Sequence, residues 1–156
     1  ISSIRIAVGD TNKAISILRE VMDKYSDNEY AEQSRYRIAM YFKLRNENDS
    51  ALFHFEILAK SEFNYTLAAE AQFRIGEIKM QQDDIETAMK AFLTVKERFV
   101  GVEDWYSLSL LSLGECYEKI EDYKSAKDIY SALLALRPDD EYGAEADRRL
   151  KNIENK

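Results

Sequence analysis

The sequence predicts an all-α fold, an array of antiparallel helix hairpins stacked side by side, and two observations favour it. The chain of 156 residues contains only five glycines and one proline, so long helices can run without interruption. A set of small and apolar residues also returns every 37 or 38 positions along the chain. A repeat of that length is typical of one pair of helices in a stacked array.

One repeating series marks the second helix of each hairpin, which we call helix B. Each copy has a small residue, a large apolar residue four positions later and another apolar residue seven positions later. The copies are Ala14–Leu18–Val21, Ala51–Phe55–Leu58, Ala88–Phe92–Val95 and Ala126–Tyr130–Leu133. This spacing puts the three side chains on one face of a helix. We predict B helices over residues 10–25, 48–61, 84–98 and 122–136.

A second series marks the first helix of each hairpin, helix A. Equivalent apolar positions are held by Ile1, Ile38, Ile75, Leu113 and Leu150. The next residue is small in the first four copies, which hold Ser2, Ala39, Gly76 and Gly114. A glycine inside a helix costs about 1 kcal/mol relative to alanine, so we expect a neighbouring helix to approach closely there. We predict A helices over residues 29–45, 66–82, 103–120 and 141–155.

Short polar turns separate each helix A from the helix B that follows it. They are Gly9-Asp10, residues 46–49, Asp83-Asp84 and Glu121-Asp122. The second residues of three turns, Asp10, Asp84 and Asp122, stand where an N-cap carboxylate accepts backbone N–H groups. We therefore divide a single domain, residues 1–156, into a half repeat and three full repeats with a final helix. The half repeat is 1–25, the full repeats are 29–61, 66–98 and 103–136, and the capping helix is 141–155.

Charge and composition limit the classes of partner. The chain has 22 basic and 29 acidic residues and a formal charge of −7, which argues against nucleic-acid binding and is compatible with a basic protein partner. No apolar stretch is long enough to span a lipid bilayer. Cys116 is the only cysteine, so an internal disulfide is excluded.

Residues 110–138 resemble the tetratricopeptide repeat consensus. The matching positions are Leu113-Gly114, Tyr117, Tyr123, Ala126, Tyr130, Leu133 and Pro138, while Leu110 replaces the usual tryptophan. The resemblance implies a right-handed superhelix whose concave side is lined by the A helices and binds other proteins. The family's common period is 34 residues. The longer period here is similar to repeats of bacterial envelope proteins, namely TolA-binding proteins and outer-membrane assembly lipoproteins, which implies the cell envelope, with the cytoplasm left open.

The resemblance also places partner-binding residues at set positions of the A helices. Carried onto this chain, they are Tyr36, Met40, Lys43, Phe73, Glu77, Met80, Leu111, Glu115, Glu118 and Arg148. Their carboxylates would favour a ligand that carries Lys or Arg. A second interpretation stays open, in which Tyr36, Phe73 and Leu111 pack between repeats and the charged residues form a solvated face. The family's clamp for a carboxylate terminus needs asparagine where Met40, Glu77 and Glu115 stand, so we do not expect that ligand.

The sequence provides no constellation for catalysis, a metal or a cofactor. His54 is the sole histidine, and zinc needs several His or Cys ligands. Cys116 lies on a predicted helix as a small packing residue, and the pairs Asp83-Asp84 and Asp139-Asp140 are explained as turn and cap residues. We therefore expect a protein that is not an enzyme.

Two functions remain open after these exclusions. The first is a scaffold that binds a peptide or helix of a partner protein in the groove of the A helices. The second is a structural spacer or self-association segment of a larger assembly. Residues 1–8 match the second half of a helix A, so we expect a piece of a longer repeat protein or a missing first helix. The apolar surface left there would favour self-association.

Overall fold

The computed structural model describes residues 11–24 and 28–154, and these form eight α-helices without a strand. The helices are α1 (Thr11–Lys24), α2 (Glu29–Leu44), α3 (Asn48–Leu58), α4 (Tyr65–Gln81), α5 (Ile85–Arg98), α6 (Glu103–Lys119), α7 (Tyr123–Leu136) and α8 (Glu141–Glu154). The predicted all-α fold is confirmed. The largest difference in bounds is at the end of α3, which was predicted at residue 61 and lies at Leu58. The predicted half helix 1–8, the Asp10 cap and the Ala14 side chain lie outside the described part.

Successive helices pack as antiparallel neighbours along the whole described chain, from α1 on α2 to α7 on α8. The A helices also contact one another, since α4 packs on α6 and α6 packs on α8. The described B helices α1, α3, α5 and α7 make no comparable contact with one another. The A helices therefore form the inner side of a curved array, and the B helices form the outer side.

The three described turns from helix A to helix B share one backbone conformation. Asn46, Asp83 and Glu121 have φ values of 58°, 61° and 61°. This left-handed conformation ends a helix, and the next N–H bonds back to a carbonyl of the last turn. The Asp84 N–H donates to the Lys79 carbonyl at 3.0 Å and the Asp122 N–H to the Tyr117 carbonyl at 2.9 Å. The hairpin angle is thus set by local hydrogen bonds at each turn.

Two of the predicted N-caps are confirmed. The Asp84 carboxylate accepts the N–H of Thr87 at 3.3 Å, and the Asp122 carboxylate accepts the N–H of Ser125 at 3.1 Å. Each carboxylate satisfies one of the N–H groups that lack a partner at a helix start. Glu47, at the equivalent position before α3, makes no such side-chain bond.

The expected close approach of helices A and B is present at both glycines. A Cβ atom on Gly76 would lie 2.7 Å from Cζ of Phe92, and one on Gly114 would lie 2.5 Å from Cζ of Tyr130. Phe92 and Tyr130 are the large apolar residues of the B series, and both are fully buried. In α4 and α6 the glycine therefore makes room for an aromatic ring of the helix B that follows.

His54 is half-buried and contacts two phenylalanines. Its ring stacks on Phe42 with 5.9 Å between centroids and meets Phe53 edge-on at 5.2 Å. Its Nδ1 atom is buried and has no hydrogen-bond partner in the described part of the chain. Burial, together with the nearby Arg35 and Arg19, lowers the pKa of His54 to about 4.

Within the residues that the structure describes, no helix combines the length and the apolar character needed to cross a membrane.

We expect Gly76→Ala to lower the free energy of unfolding by roughly 1–3 kcal/mol, because the new methyl group overlaps the Phe92 ring. The matched control is Gly101→Ala, since a Cβ at Gly101 meets no atom within 4 Å. Urea unfolding followed by circular dichroism measures both. Equal loss of stability in the two variants would contradict the assigned role of the Gly76 contact.

We expect the protein to lose stability as the pH falls from about 6.5 to about 4, the window between the pKa of a free histidine and the lowered pKa of His54. In that window the unfolded chain binds a proton that the folded protein does not, so acid favours unfolding. Because His54 is only half-buried, solvent weakens the effect, and we expect it to account for about 1–2 kcal/mol of the lost free energy of unfolding.

The measurement is urea unfolding of wild type and His54→Phe at pH 7 and pH 4.5. Phenylalanine is neutral at both values, so the variant should lose less stability on acidification than the wild type. An identical loss in both proteins would exclude His54 as the cause.

Candidate partner-binding surface of the A helices

The candidate site is the inner surface, formed by the predicted residues of α2, α4, α6 and α8. Most of these side chains are half-buried, which means that they are both accessible and in contact with neighbours. Phe73 is different because it is only 4% exposed, and its ring lies between Phe92 at 5.6 Å and Trp105 at 5.4 Å. For Phe73, this burial favours the interpretation in which the ring packs between repeats.

Polar contacts join α2 to α4 on this surface. The Tyr36 hydroxyl donates to Oε1 of Glu70 at 2.5 Å, and Nζ of Lys43 lies 3.2 Å from Oε2 of Glu77. Arg74 lies between the two carboxylates, with its Nη2 3.1 Å from Glu70 and its Nη1 2.7 Å from Glu77. We call these five residues the Arg74 cluster. Burial and the bond to Glu70 raise the pKa of Tyr36 well above its usual value, so its hydroxyl stays a donor.

Arg74 extends these contacts to α6. Its guanidinium carbon lies 5.0 Å from the centroid of the Trp105 ring and 5.7 Å from that of Phe73. A cation over an aromatic face is attracted by the ring quadrupole. Arg74 thus orients the two carboxylates of its own helix α4 that contact α2, and it contacts α6 directly through the Trp105 ring.

A second polar cluster joins α6 to α8. Arg149 pairs with Glu115, with Glu118 at 3.4 Å and with Glu145 at 2.9 Å, while the Tyr130 hydroxyl donates to Glu118 at 2.8 Å. We call these five residues the Arg149 cluster. Burial raises the pKa of Glu115, and Arg149 opposes that rise. Arg148 is exposed beside the cluster and pairs with Glu145.

Two sulfur atoms meet where α4 packs on α6, between the two clusters. The Met80 Sδ and Cys116 Sγ atoms are 3.6 Å apart. Leu111 is half-buried against the core formed by α6, α7 and α8. Burial raises the pKa of the Cys116 thiol to about 11, so the thiol is protonated at neutral pH and serves packing. The inner surface is therefore apolar in the middle and charged toward both ends.

The predicted carboxylates Glu77, Glu115 and Glu118 all have cationic partners within the protein. A basic ligand would have to displace Lys43, Arg74 or Arg149 to reach them. The expectation of a basic partner in this groove therefore gains no support from the geometry.

Sequence reasoning missed Glu70, Arg74, Glu145 and Arg149, which hold the clusters together. Arg74 follows Glu70 by four residues and precedes Glu77 by three, and Arg149 follows Glu145 by four. Opposite charges at these spacings meet on one helix face, so part of each cluster was visible in the sequence. The contacts between helices, such as Tyr36 to Glu70, had no sequence signal.

Over the described residues, no group of three or more His, Cys, Asp or Glu side chains is arranged to hold a metal ion. The acidic pairs seen in the sequence lie at helix starts, where Asp84 and Asp140 accept backbone N–H groups.

We expect Arg149→Met to lower the free energy of unfolding by roughly 1–3 kcal/mol, because three half-buried carboxylates lose their cation. Adding Glu115→Gln should recover part of the lost free energy of unfolding, because it removes one of the unpaired charges. Lys90→Met is the matched control, since Lys90 pairs with Glu86 on an exposed surface and its loss should not be measurable. Urea unfolding of the four proteins gives the comparison, and a loss in Lys90→Met as large as in Arg149→Met would contradict it.

Comparison with known proteins supplies the classification of the chain. The model of the tetratricopeptide repeat-like domain matches residues 4–155. Searches of curated proteins and of solved structures gave no match. The matched region covers nearly the whole chain and agrees with the stacked hairpins and the glycine–aromatic contacts described above. The chain therefore belongs to the tetratricopeptide repeat-like family.

Proposed function

We propose that this protein is a non-catalytic scaffold that binds a peptide or helix of a partner protein on the inner surface of its A helices. Tetratricopeptide repeat-like domains are in general protein-interaction scaffolds. The observation that carries the proposal is the fixing of inner-surface side chains by the Arg74 and Arg149 clusters. Side chains that are already ordered lose less entropy when a partner binds.

The apolar middle of the inner surface is the part that would contribute most to affinity. Met80 is half-buried there, and Met40 on α2 and Leu111 on α6 are half-buried as well. Methionine and leucine bury apolar area on binding, and methionine adapts its shape to the partner. The paired charges at both ends would fix the register of the partner through hydrogen bonds. The partner segment therefore needs apolar side chains and does not need a net positive charge.

Two finer features of the proposal rest on the sequence. The repeats over 29–61, 66–98 and 103–136 are proposed as its structural units, each adding one A helix to the surface. The period of 37 or 38 residues supports a likeness to the envelope proteins, and a cell-envelope location stays a prediction.

The test is photo-crosslinking in cells of the source organism, with benzoylphenylalanine placed at Met80 or at Leu111. Matched controls carry the same group at Lys90 on α5 and Asp128 on α7, which are exposed on the outer side. We expect a protein cross-linked at the two inner positions and absent at the two outer ones. Helical circular dichroism checks that each labelled protein is folded.

Cross-links of equal yield at inner and outer positions would contradict binding on the inner surface. Cross-links to other copies of this chain alone would favour the alternative function, a structural or self-association segment.

A further inference from the structure

A second surface lies outside the inner surface, along the links from each helix B to the next helix A. We define the link edge as residues 28–30, 60–65, 99–104 and 136–142. Among the described residues, five of the ten exposed large hydrophobic side chains lie on it, each more than half exposed. They are Tyr30, Phe63, Tyr65, Val100 and Leu136. Single exposed apolar residues are common, but a row of them along one edge marks an interaction surface.

Contacts between neighbouring links make this edge continuous. The Ser61 hydroxyl donates to Glu32, which ties the second link to the start of α2. The rings of Tyr65 and Phe99 are 4.8 Å apart, which ties the start of α4 to the third link. Arg137 in the fourth link lies 3.7 Å from Glu103 at the start of α6. The exposed apolar residues therefore follow one another along a single side of the array.

The link edge is also strongly acidic. Its defined residues include seven acidic and two basic side chains, a formal charge of −5. Glu103 and Asp104 are 83% and 74% exposed, so their contacts with Arg137 at 3.7 and 3.9 Å leave them open to solvent. Arg137 itself is held by Asp140 and lies over the Tyr142 ring. The carboxylates of the inner surface are held by cations within the protein, whereas Glu103 and Asp104 on this edge stay largely exposed.

We infer that the link edge is a second docking surface, which takes a basic amphipathic segment of another protein. Apolar side chains of the segment contact Phe63 and Val100, and its lysines and arginines meet the exposed carboxylates beside them. Charge complementarity of this kind speeds encounter and selects the partner. A second copy of this chain fits poorly, because the whole chain carries −7 and would bring like charge to the edge. An anionic membrane has the same disadvantage.

The test uses two synthetic 16-residue peptides with the same leucines and phenylalanines. One has lysine at every polar position, and the other has glutamate. Each is titrated into the ¹⁵N-labelled protein, and the shifts of backbone amide signals are recorded. We expect the lysine peptide to shift amides of residues 62–65 and 99–104, and to leave those of Met40, Met80 and Leu111 unchanged. The glutamate peptide should shift none of them.

Variants locate the contact. Phe63→Ser/Val100→Ser should raise the Kd of the lysine peptide at least tenfold. The matched control is Leu44→Ser/Phe53→Ser, which removes two equally exposed apolar side chains that lie elsewhere and should leave the Kd within twofold. Because the charges are exposed, the Kd for the wild type should also rise at least fivefold between low salt and 0.3 M NaCl.

Several results overturn the inference. These are no shift at millimolar lysine peptide, shifts confined to the inner surface, and equal effects of the two peptides or of the two variants. Shifts of the link-edge amides that grow with protein concentration in the absence of peptide would identify a second copy as the occupant instead. The proposed binding on the inner surface is independent of all these outcomes, because the crosslinking positions lie outside the link edge.

Discussion

The contact of a helix-A glycine with a helix-B aromatic ring is the constraint on which the rest of the structure depends. Gly76 and Gly114 have no side chain, so the rings of Phe92 and Tyr130 fill the space between the two helices of a hairpin. That contact sets the distance between the helices, and the left-handed residue at the turn sets their angle. The turn recurs in three described hairpins and the glycine contact in two, with the small Ala39 at the equivalent position of α2, so these hairpins stack as similar layers. Because the A helices of successive layers contact one another and the B helices do not, the stacked layers form a curved array.

Tyr130 shows how the core and the inner surface are connected. Its ring packs on Gly114, while its hydroxyl donates to Glu118 in the Arg149 cluster. Burial and that bond raise the pKa of Tyr130 far above its ordinary value, so the hydroxyl remains a donor at neutral pH. Phe92, its equivalent one repeat earlier, has no hydroxyl, and the Arg74 cluster takes its tyrosine, Tyr36, from a neighbouring helix A instead. The two polar clusters are therefore similar, although their tyrosines come from different positions of the repeat.

This difference explains how much the sequence predicted. The fold followed from residues that act locally or recur, such as Asp84 and Asp122 at helix starts and Gly76 and Gly114 at close approaches. The candidate site was predicted only in part, because helix periodicity tells which residues share a face and not which partners they meet across helices. Phe73 shares a face with Glu77 and Met80, yet Trp105 on the next helix A covers it. The ion pairs of Glu77 with Lys43 and of Glu115 with Arg149 could not be predicted either, because the two residues of each pair are 34 positions apart in the chain.

Among the described helices, the main contacts join helices that are next or second-next to one another in sequence, and this affects how the molecule unfolds. No described helix contacts one at the far end of the array, so each hairpin depends on its own packing and on the interfaces with its neighbours. Folding starts from any hairpin and spreads to its neighbours, and unfolding begins where a layer has a neighbour on one side only. A force applied to the two ends of the array therefore separates it hairpin by hairpin, with a stepwise extension in place of a single break.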